Sequence, residues 1–213
     1  MEVLMAKILA FKGKKQCPPG NILRKVSGRP KNLDVRSREH LTLDEVKNLM
    51  KAAGNSGRHR HRDQSLILII FRHGLRVSEA IDLRWDQVDF KAGSIYINRL
   101  KNGKPATHFL EGDEMRALRR LKREQTLNPF IFVTERGGPL TRSTVNKMIE
   151  RAGRKSDFAF PVHPHMLRHA CGYYLANKGV DTRTIQDYLG HVSITHTVRY
   201  TELSPHKFKG LWS

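Results

Sequence analysis

Residues 94 to 110 read SIYINRLKNGKPATHFL, two β-prone runs (94 to 98 and 106 to 110) either side of a turn containing Asn102-Gly103. Asn-Gly tolerates the positive φ angles of a tight two-strand turn, which makes it the strongest short-range hairpin signal a sequence carries. Most of the remaining patterned sequence after residue 40 has the 3.6-residue apolar spacing of helices. The chain is therefore expected to be mainly α with a small antiparallel β-sheet, an α+β fold. A short run over residues 130 to 133 is predicted as the third strand.

The folded part is predicted to open at Thr42-Leu43-Asp44-Glu45, a capping box in which Thr42 and Glu45 satisfy each other's backbone donors. Val46, Leu49, Met50 and Ala53 then line one helical face, and Gly54 is the expected stop. Further helices are predicted over residues 64–73, 76–83, 113–125, 141–153, 165–178, 182–189 and 193–200, with Gly74, Gly179 and Gly190 as stops. Upstream, residues 1 to 40 hold ten Lys/Arg against three acids and are broken by Pro18-Pro19-Gly20 and Gly28-Arg29-Pro30. This reads as a basic N-terminal arm over 1–40, extended or partly disordered, ahead of a folded domain over 41–213. A solvated tail with no partner is the alternative.

Lys and Arg number 39 against 20 Asp and Glu, a formal charge of +19. That excess points to a polyanionic partner, nucleic acid first. The longest apolar run, residues 66 to 71, is far short of the roughly 20 residues a membrane-spanning helix needs, so no membrane partner is expected. The opening MEVLMAKILAFKGKK places its positive charge after the apolar run, the reverse of a secretory signal. Cys17 and Cys171 make neither a disulfide framework nor a zinc set, and a reducing cytoplasm fits.

Three histidines and an arginine crowd HPHMLRH, residues 163 to 169. Metal binding, packing and anion recognition are the candidate explanations. A metal site needs several converging ligands, and no carboxylate or thiolate spacing supplies them. Downstream, DYLGHVSITHTVRYT adds His191 and Tyr200; upstream, GLRVSE places Arg76 and Glu79 three apart on one helical face, where the carboxylate can orient a guanidinium. His165 and Arg168 share a face near a helix N-terminus, where backbone donors favour an anion. A phosphodiester transition state asks for planar bidentate donors on its non-bridging oxygens, an in-line nucleophile and an acid on the leaving oxygen. Two arginines, two histidines, a hairpin lysine and a tyrosine provide all three kinds of group.

At these residues the sequence resembles the tyrosine recombinase (phage integrase) family. The resemblance covers residues 41 to 213 and is closest to the short recombinases that invert fimbrial promoter switches, through HPHMLRH, IQDYLGH, HTVRYT and the closing FKGLW. It implies that Arg76 and Arg168 grip the scissile phosphate, that His165 assists proton transfer at the attacking hydroxyl, and that His191 donates to a phosphate oxygen. Lys101, at the hairpin tip, would protonate the departing 5′ oxygen, with Lys104 as its competitor. Glu79 would support the site from behind and Tyr200 would attack phosphorus. The implied product is a 3′-phosphotyrosyl link, made without metal or nucleotide cofactor. Implied partners are double-stranded DNA, further copies of the chain in a synaptic tetramer on DNA, and accessory DNA-bending proteins.

Family members generally carry an additional helical DNA-binding domain before the catalytic one, and the basic arm is expected to substitute for it in part. Phe208, Leu211 and Trp212 are the expected anchors of a short neighbour-docking tail. Read without the resemblance, Tyr200 would be a half-buried surface tyrosine. His59, His61, His163 and His169 read as surface or backbone-contacting groups, and Cys171, Tyr174 and Leu175 as core. Two other functions remain open at this point: a type IB topoisomerase, marked by supercoil relaxation without strand exchange, and a non-catalytic DNA-binding remnant, marked by occupancy without cutting.

Overall fold

A computed structural model describes residues 38–100, 103–125 and 128–202. The arm up to residue 37, Lys101 and the tail anchors Phe208, Leu211 and Trp212 lie outside them. Among the described residues there are eight α-helices and one three-stranded antiparallel sheet.

The first helix, α1 (Leu43–Gly54), begins as expected. Thr42 Oγ1 accepts from the Glu45 N–H, the Glu45 carboxylate accepts from the Thr42 N–H, and Val46, Leu49 and Ala53 are buried while Met50 is half-buried. Arg38, Glu39 and His40 already pack on this domain. Arg38 makes a two-pronged bond to Glu45 at 2.7 and 2.8 Å, and His40 stacks on Tyr173. The central helix, α2 (Arg60–Arg72), buries every residue from Leu66 to Phe71 and packs against α1. It starts four residues before the predicted position because its polar first turn is satisfied by the fold: Arg62 pairs with buried Asp63 at 2.6 Å, and a His61 ring nitrogen lies 3.0 Å from the Ala117 carbonyl. The next helix, α3 (Val77–Ile81), is shorter than predicted, with Arg76 as its N-cap.

In the sheet, β1 (Val88–Asp89), β2 (Ser94–Ile97) and β3 (Ala106–Phe109) pair in that order, with Ser94 opposite Phe109 and Ile97 opposite Ala106. The predicted hairpin is present, but the predicted third strand over 130–133 is not. Ile131 and Phe132 are both fully buried, which breaks the alternation a one-faced strand requires. That segment makes only isolated bridges, from Phe130 to Arg84 and from Val133 to Pro139. Val88–Asp89 takes its place, because Asp89 Oδ1 accepts from the Lys91 and Ala92 N–H groups and tightens the turn into β2.

Helices α4 (Gly112–Glu124), α5 (Arg142–Lys155), α6 (Pro164–Asn177), α7 (Thr182–Leu189) and α8 (Thr195–Glu202) complete the domain. Gly74, Gly179 and Gly190 all have positive φ and end α2, α6 and α7 as predicted. Both α2 and α8 pack on α6, so the Arg76, Arg168 and Tyr200 segments converge. Cys171 is buried as expected, but Tyr174 is 36% exposed, with its ring edge-on to Phe71, and is not core.

Candidate active site

Glu79 is the hub. Its side chain is fully buried, and it gathers donors from two stretches of chain. The Arg76 backbone N–H donates to Oε2 at 2.9 Å and Arg76 Nη1 to Oε1 at 2.6 Å, because an N-cap residue and the residue three on meet across the first turn. From the hairpin limb, Arg99 Nη1 donates at 3.0 Å and the Leu100 N–H at 3.2 Å. Arg168 Nη1 lies 3.8 Å away. Glu79 thus binds Arg76 and the hairpin limb and lies beside Arg168, setting the three segments against one another.

Arg168 is 1% exposed and donates to the Gly74 carbonyl, which follows α2, and to Leu189 O at 2.8 Å, at the end of α7. Just past that helix, Gly190 adopts φ 64°, and His191 follows with Nδ1 2.9 Å from Thr197 Oγ1 on α8. Tyr200 is 1% exposed rather than half-buried. Its ring lies on Gly172 of α6, where a Cβ would come within 2.6 Å of Tyr200 Cε2. Its hydroxyl is 2.8 Å from His169 Nδ1. His169 therefore corrects the expectation of a surface or backbone-contacting group: it holds the phenol. His165, the expected proton handler, is exposed and stands edge-to-face to His169 at 4.4 Å. Arg76, Glu79 and Arg168 thus form one ion-pair set, His191 and Tyr200 stack at 6.3 Å beside it, Arg168 bonds the Leu189 carbonyl two residues before His191, His165 borders Tyr200 through His169, and Lys101 lies outside the described residues.

A family model described as the phage integrase family matches residues 39–207. The chain belongs to the phage integrase family. Its relatives include the type 1 fimbriae regulatory proteins FimB and FimE of Escherichia coli strain K12, 44% identical over 184 residues and 45% over 186. Each alignment covers 84% of this chain and 92% of the relative. Among solved structures, the XerH site-specific recombinase bound to its difH substrate in a pre-cleavage complex matches with a TM-score of 0.68 at 26% identity, covering 77% of this chain. This chain spans 50% of that XerH chain. The mainly helical fold with its small antiparallel sheet is that of a tyrosine recombinase catalytic domain.

In this integrase-family site the electrostatics follow from burial among cations. Burial pushes the Tyr200 phenol up to about 12, although Arg168 and Arg199 pull the other way. Burial, then the charges of Arg76 and Arg99, bring Arg168 down to about 10, which still leaves it cationic at neutral pH. His191 falls to about 3 through burial and the charges of Arg168 and Arg76, and His169 falls to about 3 through burial and His165. Both imidazoles are neutral when no anion is bound, and in the tautomer with Nδ1 unprotonated His169 accepts a hydrogen bond from the Tyr200 hydroxyl.

The same burial makes the fold acid-sensitive. His108, buried behind the site with Nδ1 3.1 Å from His73 Nδ1, is lowered to about 3 by burial and the charges of His73 and Arg99. A histidine held neutral in the fold but free to protonate when unfolded contributes stability above about pH 6.5 that is lost as pH falls toward 3. For His108 alone the loss is about 1.4 kcal/mol per pH unit below 6.5, equivalent to about 3 °C in a domain of this size. Calorimetry of the DNA-free protein should show the midpoint falling steadily from pH 7 to pH 5. A flat midpoint would contradict neutral burial of these rings.

Arg99 and His169, which bond Glu79 and Tyr200 of the candidate set, were missed by sequence reasoning. The signal for Arg99 was strand parity, since Ile95, Ile97 and Arg99 are all buried while Tyr96, Asn98 and Leu100 are exposed. For His169 the signal was helical spacing, four residues beyond His165.

Proposed function

We propose that this tyrosine recombinase cuts and rejoins duplex DNA at specific sites through a 3′-phosphotyrosyl link on Tyr200. The observation that carries the reading is the Tyr200 hydroxyl on neutral His169 at 2.8 Å, within a cluster supplied with cations by Arg168 and Arg76. The phenol oxygen attacks phosphorus as its proton is handed on with the help of His165, while His169 orients the hydroxyl. Arg76 and Arg168 take the non-bridging oxygens and His191 donates to one of them. The bond from phosphorus to the 5′ oxygen breaks, and Lys101 supplies the proton to that oxygen. The free 5′ hydroxyl of a second strand reverses the sequence, so the phosphodiester energy is conserved without metal or nucleotide.

The DNA-bound state of XerH supports double-stranded DNA as the partner. Self-association into a synaptic tetramer on DNA, help from accessory DNA-bending proteins and a nucleoid location in the cytoplasm complete the proposal; inversion, excision or integration would be the outcome. The test is to trap covalent protein–DNA complexes in cells under denaturing conditions and sequence the attached ends. Ends at a defined sequence, each carrying protein on its 3′ phosphate, are expected. Occupancy without any covalent ends would defeat the enzymatic reading.

The arm over residues 1–40 is proposed as a DNA contact, since each Lys or Arg that neutralises a phosphate releases a counterion. Deleting residues 1–37, which spares the contacts of Arg38, Glu39 and His40 with the folded domain, should weaken binding and flatten the plot of log affinity against log salt concentration. A deletion that changed neither quantity would leave the arm a passive tail.

A further inference from the structure

We infer that Arg99 is a positioning residue that fixes where the hairpin limb leading to Lys101 meets the phosphate-gripping segments, and thereby sets protonation of the departing 5′ oxygen. The inference rests on the proposed function for the role of Lys101.

Arg99 follows β2 at the inward parity, two residues before Lys101, and its side chain is fully buried. A chain needing only a stable strand exit would continue the apolar parity of Ile95 and Ile97, because taking a guanidinium out of water costs several kcal/mol before its partners compensate. Here the partners come from three separate segments. Nη1 reaches Glu79 Oε2 at 3.0 Å, and Nη2 reaches the His73 carbonyl at 3.1 Å and the Tyr188 carbonyl. These lie at the end of α2, in α3 and near the end of α7, the segments that lead to or hold Arg76 and His191. The next residue adds a second tie, from the Leu100 N–H to Glu79.

The path of the side chain is cleared by two glycines. A Cβ on Gly190 would stand 2.7 Å from Arg99 Cγ, and one on Gly103 would stand 2.8 Å from both Arg99 Cβ and the Gly190 carbonyl. Gly103 lies just past Lys101 on the far side of the turn. The two sides of the lysine-bearing turn are therefore held against the residue preceding His191, with the Arg99 side chain running through the slot. With Arg99 lost, Arg76 keeps its two bonds to Glu79 and Tyr200 its contact with His169, while the hairpin limb loses its side-chain ties to α2 and α7 and keeps the Leu100 N–H bond to Glu79.

The experiment uses the full chain and a nicked duplex carrying a mapped cleavage position, with either oxygen or sulfur at the 5′ bridging atom. In the sulfur duplex the tyrosyl oxygen–phosphorus bond forms, the phosphorus–sulfur bond breaks, and sulfur leaves as a thiolate that needs no proton. With the oxygen duplex, Arg99→Ala should form adduct at least about tenfold more slowly than wild type, a fraction of the roughly hundredfold to ten-thousandfold that a positioned proton donor supplies. On the sulfur duplex it should come within about threefold of wild type. Gly103→Ala, which keeps every side-chain donor and crowds the slot, should show the same pattern, and it carries the test if Arg99→Ala fails to fold. Equal slowing on both duplexes, or none on either, overturns the inference while leaving the tyrosine chemistry intact. A wild-type protein that forms adduct on neither duplex overturns the proposed function, and this inference with it.

Discussion

Tyr200→Phe is expected to bind its DNA site with wild-type affinity and to form no covalent complex with it. The substitution removes one oxygen. The ring stays on Gly172, with His191 and Tyr173 around it, so the packing that orders α8 survives. What is lost is the atom that His169 holds and that the proposed mechanism joins to phosphorus, and nothing else at that position can replace it. The readout is a denaturant-stable protein–DNA band from a nicked duplex, whose peptide carries the nucleotide on Tyr200 in the wild type. Because the loss of a covalent nucleophile is not partial, any residual band above background from the phenylalanine variant would assign the attack elsewhere. Attachment at Tyr188 or Tyr173 would overturn the site.

Glu79→Ala is expected to lower stability by about 3–5 kcal/mol, the cost of stranding a buried charge whose partner is removed. Against the 5–15 kcal/mol of a typical domain this brings the protein close to unfolding at ambient temperature. Arg99 would lose its paired carboxylate among the described residues, Arg168 a neighbour at 3.8 Å, and the Leu100 and Arg76 N–H groups their acceptor. Burial raises the pKa of this carboxyl, but the Arg76 N–H and the charge of Arg99 outweigh it, and the net shift is downward. A carboxylate lowered in the fold contributes stability above its unfolded value near 4.5, and that contribution disappears as pH falls through the folded value. Urea denaturation should therefore show a large loss for Glu79→Ala at pH 7 that shrinks in strong acid, with Glu79→Gln intermediate. An alanine variant as stable as wild type at pH 7 would show that the cluster has no need of its central charge.

Most of the fold was legible because it is written in local chemistry. The Thr42–Glu45 capping box and the glycines that end α2, α6 and α7 each act within a few residues, and each formed close to its predicted place; the β2–β3 ladder formed as well, although Gly103 does not take the positive φ expected of a tight Asn-Gly turn. The third strand was misplaced because β-prone composition at 130–133 does not distinguish a ladder from a segment buried on both faces, as Ile131 and Phe132 are. That Arg76, Glu79, Arg168, His191 and Tyr200 belong together as a candidate site was legible through motif order, since they lie in short patterned runs, and the fold brings their segments together. Arg99 and His169 were not legible, because their roles depend on partners distant in sequence: Glu79 lies 20 residues from Arg99, and Tyr200 lies 31 from His169. For Arg99 and His169 it is tertiary packing that supplies those partners and takes away their water.

The seat of Tyr200 on Gly172 bears on how the protein behaves when it has nothing to cut. An ordinary phenol with a pKa near 10 is ionised in about one molecule per thousand at pH 7. With the Tyr200 phenol pushed up to about 12, the reactive anion is found in about one molecule per hundred thousand. For the attack proposed for Tyr200, this holds the phenol in its less reactive neutral form while no DNA is bound. The burial responsible depends on a methyl group's worth of space on α6: a Cβ at residue 172 would stand 2.6 Å from the ring, so a side chain there would displace the phenol toward water and a lower pKa.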